Sequence, residues 1–170
     1  LSLCTGFPSA ANIVEDALGE VDIYNGGYEL AYLSINGRVQ SQKYTYYNYI
    51  NAAGQQKEIP AYCVNPNLYG VPQTVGVGES ISYLAEEKTS DPKVMGIIAN
   101  GYPTRGLAEL KLDNKYQAYY ATKMALWCYL ISDWNINNLK INPSLSGDEL
   151  TRAQKILAAT KDIYARGTSW

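Results

Sequence analysis

The segment from Asn114 to about Asp133 constrains the fold more than any other, because its apolar residues return with the period of a long helix. Tyr116, Tyr120, Trp127, Ile131 and Trp134 fall within about 60° of one another on a helical wheel, with Tyr119, Met124 and Leu130 at the margins. Asp113 is placed to cap it. An aromatic stripe of that length must face a core, so the rest of the chain has to supply its cover. A second helix is expected from about Asp148 to Arg166, where Leu150, Ala153, Ile156, Leu157, Thr160, Ile163 and Tyr164 recur at helical spacing before Gly167 stops it. A shorter helix begins at Asp91-Pro92, with aspartate as the cap and proline at the first helical position, and ends before Gly101-Tyr102-Pro103.

The first half reads as sheet. After a turn or short helix over Asn12 to Leu18, Val21 to Tyr24 and Tyr28 to Ile35 predict a hairpin across Asn25-Gly26-Gly27, where glycine supplies positive φ at little cost. A second turn at Asn36-Gly37 leads into Val39 to Ile50, and Gly54 precedes Ile59 to Val64. Three or four antiparallel strands with one wet face follow. Residues 65–78, with Pro66, Pro72 and three glycines, predict an ordered loop, and Ser80 to Glu87 either a strand or one helical turn. The expected fold is therefore α+β. A single domain spans 1–170: an antiparallel β-rich body, sandwich or partial barrel, over about 20–64, packed against a helical portion over about 91–166. A chain of this size buries roughly 70% of its unfolded surface and folds without staples.

Composition removes several function classes. Fourteen Lys and Arg balance sixteen Asp and Glu with no basic run, which argues against nucleic acid as a partner. No apolar stretch is long enough to span a bilayer. The absence of histidine excludes cysteine-protease, transglutaminase-like and serine-hydrolase mechanisms built on a histidine base, and histidine zinc sites as well. Three cysteines, Cys4, Cys63 and Cys128, suit neither a disulfide framework nor a thiolate metal cage. No cofactor or metal is implied. Sixteen tyrosines against one phenylalanine favour half-buried surfaces on which the ring packs and the hydroxyl stays bonded. The start at Leu1 without methionine is read as excision from a longer protein, and the composition is compatible with secretion.

One residue does not fit its helix. Lys123 lies three positions beyond Tyr120 and four before Trp127, on or beside the aromatic stripe. Either its head snorkels to water from the stripe's edge, or the neighbouring structure brings it a chemical partner. Cys63, at the strand end Ala61-Tyr62-Cys63-Val64, is the candidate partner, and its alternative reading is an inert small hydrophobe.

The segments Tyr62-Cys63-Val64 and Ala121-Thr122-Lys123-Met124-Ala125-Leu126-Trp127 resemble the two motifs of the thioester domains at the tips of Gram-positive bacterial adhesins and pili. In that family an aromatic-Cys-aliphatic strand end approaches a helix bearing Thr-Gln-x-Ala-aliphatic-Trp. The thiol and the glutamine side chain condense with loss of ammonia to an internal thioester. The resemblance covers about Val21 to Trp134 and implies a reactive site where the β-rich and helical portions join. It implies Cys63 as nucleophile, residue 123 as acyl donor, and Tyr62, Tyr120, Thr122 and Trp127 as walls and support. It further implies an extracellular module of the bacterial cell surface, anchored to the wall through other regions of a longer protein. Such a module neighbours further domains and attaches to a host extracellular protein or glycan. The event consumes the site, so even the intact version is not a turnover enzyme.

This chain departs from the pattern at the decisive position, since Lys123 has no side-chain carbonyl. Cys63 and Lys123 therefore cannot form the thioester, and Gln117, about 120° away on the helix, is a poor stand-in. Four explanations of the lysine stand: a disabled thioester domain, conversion to reversible adhesion through exposed tyrosines, direct Cys63-Lys123 contact as an ion pair or nitrogen-oxygen-sulfur bridge, and an isopeptide to Asn or Asp. A non-covalent protein- or glycan-binding or structural domain is the alternative from a different class. The paired carboxylates Glu86-Glu87 and Asp148-Glu149 read as surface or helix-terminal charge.

Overall fold

The computed structural model describes residues 4–5, 19–64, 74–85 and 91–169. Its strands are β1 (Cys4–Thr5), β2 (Gly19–Ile35), β3 (Arg38–Ile50), β4 (Gln56–Pro60), β5 (Tyr62–Cys63), β6 (Ser80–Ala85) and β7 (Leu139–Ile141). Its helices are α1 (Pro92–Ala99), α2 (Leu107–Leu110), α3 (Lys115–Leu130) and α4 (Gly147–Thr168). The expected turn or helix at Asn12 to Leu18 and most of the loop beyond Asn65 lie outside the described residues.

The α+β expectation holds, and the strand pairs among the described residues are antiparallel. The larger sheet runs β4-β3-β2-β6, with β7 also paired to β2, while β1 and β5 form a separate two-stranded ladder. Because Tyr24 pairs with Tyr46 of β3 and with Ser80 of β6, those two strands lie on opposite edges of β2. β7, which the sequence pattern does not reveal, joins β2 at Leu33 to Ile35.

The Asn25-Gly26-Gly27 hairpin is corrected: the chain runs straight through as one strand, and the glycines form a bulge. Register slips between Asn25 and Glu29, with Gly27 at φ 74° and Tyr28 at φ 52°. The Asn25 side chain accepts from Gly27 N at 2.9 Å and donates to Val75 O at 2.8 Å, satisfying the irregular backbone there. A Cβ at position 26 would lie 2.3 Å from the Tyr44 ring, so glycine serves close approach. The Asn36-Gly37 turn is as expected, with φ of 52° and 78°. Ser80 onward is strand, paired along β2. The sheet face expected to be wet carries a second, smaller buried cluster of Ile23, Tyr47 and Ala61.

The aromatic stripe on α3 is also corrected. Asn114, not Asp113, caps the helix, accepting from Gln117 N at 3.0 Å. Burial extends around the helix: Tyr119, Tyr120, Thr122, Met124 and Leu126 are all enclosed, and Tyr116 and Trp127 only partly so. The sheet covers one side of α3, and α1 and α4 pack against it as well. Asp91 caps α1 as expected, accepting from Lys93 N at 2.9 Å. Gly167 does not stop α4, which continues to Thr168. It lets the helix approach α1 instead, since a Cβ there would sit 2.4 Å from Ile97 Cα.

Candidate functional site

The candidate site is built where the end of the β4–β5 run meets the middle of α3. Tyr119 fastens the two together. Its hydroxyl donates to Ala61 O at 2.9 Å and lies 2.9 Å from Thr45 Oγ1, and its ring stacks on Tyr62 with centroids 4.9 Å apart. Tyr62 is fully enclosed, and burial holds its hydroxyl protonated well above the usual tyrosine range. That hydroxyl donates to Tyr102 O at 2.7 Å. The Tyr102 N–H in turn donates to Thr122 Oγ1 at 3.0 Å, and Thr122 donates to Ala118 O at 2.8 Å. The Tyr102 backbone therefore brackets strand and helix together. Gly101 permits the approach, because a Cβ there would meet Thr122 Cγ2 at 2.4 Å.

Lys123 lies one helical turn beyond Tyr119. It is only 9% exposed, with Nζ 5.6 Å from the Tyr119 ring centroid and 5.0 Å from that of Trp127. Two aromatic faces thus take the place of a counter-ion; among the described residues no carboxylate pairs with it. Burial lowers its pKa from the ordinary 10.5 to about 8. Trp127 also packs on Trp134 at 5.8 Å, and its indole Nε1 is buried with no hydrogen-bond partner among the described residues.

Tyr62, Thr122, Lys123 and Trp127 are therefore assembled around one stretch of α3. Tyr120 faces elsewhere: its hydroxyl accepts from Leu33 N at 2.9 Å and donates to Gln40 O at 2.6 Å, pinning α3 to the sheet. The backbone of Cys63 is placed directly after Tyr62 in β5, opposite Cys4 of β1; its side chain lies outside the description. Gln117 is buried and engaged with Asp113 through Oε1 at 3.1 Å. Glu149 pairs with Arg152 in the first turn of α4, and Glu86-Glu87 lies outside the described residues. Among the described residues no group of three or more potential ligands would hold a metal ion, and no helix is long and apolar enough to cross a membrane.

Two participants escape sequence reasoning. Tyr119 is placed there at the margin of the stripe, although its spacing of four residues from Lys123 is a usable signal. Tyr102 acts through its backbone, which side-chain patterns do not register.

The profile of the family described as "TED: Thioester domain" matches residues 60–169, which contain both motif segments and α1 to α4. Among solved structures, the fold is similar to the thioester domain of the Enterococcus faecium TIE86 protein, with TM-score 0.58 and 18% identity over 88% of this chain and 51% of that one. It is similar also to the Bacillus anthracis TIE protein, with TM-score 0.60 and 19% identity over 89% of this chain and 24% of that one. The chain thus spans about half and about a quarter of the lengths of these two relatives. No curated protein matches it. At such identities the structures establish likeness of fold, and the profile match over most of the sequence establishes that this chain belongs to the thioester-domain family.

Proposed function

We propose that this domain is an adhesion module of a Gram-positive cell surface that has given up covalent capture at residue 123 and holds its host partner non-covalently. The observation that carries the reading is Lys123 itself, enclosed on α3 between Tyr119 and Trp127, with Thr122, Ala125, Leu126 and Trp127 at the family's spacing. In the intact family site, the cysteine thiolate attacks the glutamine amide carbon and ammonia departs. An amine of the host then displaces the thiolate and leaves a stable amide. A lysine at the acyl position offers no carbon for the first step. The surroundings still suit a shielded acyl group: Tyr62 and Trp127 would exclude water, and Thr122 is fixed by Tyr102. Tyr120 acts as a structural pin under this reading. Exposed aromatics such as Tyr28, stacked on Tyr116 at 4.0 Å, would serve reversible contact with a protein or glycan.

Intact-mass measurement tests this. After phosphine reduction of all cysteines, the protein should show its full sequence mass and take up no methylamine. Lys123→Gln should lose about 17 Da as ammonia, and methylamine should then add about 31 Da. A native protein already about 17 Da light, and reopened by methylamine, would place the acyl donor at another residue and end the proposal.

A further inference from the structure

We propose that Cys63 is held as a disulfide with Cys4. The two residues sit directly opposite each other in the antiparallel β1–β5 ladder, which among the described residues pairs Cys4 with Cys63 and Thr5 with Tyr62. Directly opposed residues in such a ladder share a face, with Cα atoms about 4.5 or 5.5 Å apart according to the hydrogen-bonding position. Both values fall within the about 4.4–6.8 Å that a disulfide spans. The third cysteine is left out by position. Cys128 is buried on α3, and burial raises its thiol to about 12, which keeps it protonated and inert. Three cysteines thus resolve into one pair and one enclosed thiol.

The chemistry needs an oxidant, and a low-molecular-weight disulfide of the oxidising exterior is sufficient. One cysteine thiolate attacks it and releases a small thiol. The second cysteine thiolate then attacks the mixed disulfide and releases the other. Two protons and two electrons leave the protein and appear in two small-molecule thiols, while one sulfur–sulfur bond forms between Cys4 and Cys63. The family's nucleophile is thereby retired along with its acyl donor. No thiolate-ammonium pair and no nitrogen-oxygen-sulfur bridge to Lys123 forms while the disulfide stands. The inference rests on strand register and goes beyond the adhesion reading, which survives if it fails.

The test uses the whole chain, equilibrated with oxidised and reduced glutathione and digested with trypsin without reduction. The expected product joins the peptide 1–38, carrying Cys4, to the peptide 58–88, carrying Cys63, with 124–140 recovered as a free thiol. Alkylation in denaturant without reductant should modify one cysteine in the native sequence and two in Cys4→Ser. Recovery of both peptides unlinked, a link from either to Cys128, glutathione on Cys63 alone, or three alkylated cysteines would each overturn the assignment.

Discussion

Replacing Lys123 by methionine should make the protein more stable at neutral pH, by a margin that narrows toward alkaline pH. The fall of the ammonium pKa from 10.5 to about 8 corresponds to about 3 kcal/mol of disfavour for the charged form in the folded state. The aromatic faces of Tyr119 and Trp127 offset about 1 kcal/mol of that, leaving about 2 kcal/mol to be recovered by an uncharged side chain of similar length. For a chain of this size the melting temperature should rise by about 4–8 °C. The pH dependence has a definite sign, because the folded pKa lies below the unfolded one. Below pH 8 both states carry the proton and the penalty is fully present. Between about 8 and 10.5 the unfolded chain holds more protons, so the penalty at Lys123 is lifted progressively as pH rises. Burial raises Tyr62, Tyr119, Tyr120 and Cys128, which lowers stability over the same alkaline range in both proteins and cancels in their difference. Urea unfolding of both at pH 7 and pH 9.5 gives that difference. An advantage for Lys123→Met that is the same at both pH values, or a methionine variant weaker at pH 7, would refute the account of a desolvated ammonium.

Two further substitutions test the frame around the site. Tyr120→Phe removes the acceptor for Leu33 N and the donor to Gln40 O, and should lower the urea midpoint by an amount equivalent to about 1–3 kcal/mol with an unchanged m-value. Gly167→Ala gains about 1 kcal/mol of helix propensity but drives a methyl into the Ile97 backbone, so calorimetry should show a net loss of about 1–3 kcal/mol; a stabilised variant would contradict the close contact of α1 and α4.

Local chemistry explains which features could be read from the chain in advance. The Asp91-Pro92 cap, the Asn36-Gly37 turn and the two long helices each rest on interactions within a few residues, and each is found. Asn25-Gly26-Gly27 misleads because a bulge and a hairpin ask the same φ freedom of glycine; Tyr44 and Val75, distant in sequence, decide between them. Gly167 misleads similarly, since a small residue at a helix end serves termination or close packing equally well. The wheel drawn for α3 assumes one buried face, whereas this helix is covered by the sheet and by α1 and α4, so residues such as Met124 and Leu126 lie as deep as those on the stripe. The identity of residue 123 and the motif around it are legible in sequence. The role of Tyr102, and the register that sets Cys4 against Cys63, arise only from tertiary placement, with 59 positions of chain separating the two cysteines.

β2 has a mechanical consequence. It is gripped along one edge by β3 and along the other by β6 and β7 in tandem. Antiparallel ladder bonds lie across the strand axis, so a pull along β2 loads many of them together in shear instead of unzipping them singly. Under the adhesion role proposed above, such a spine would matter because lifetime under tension is set by the rate of rupture and not by equilibrium stability.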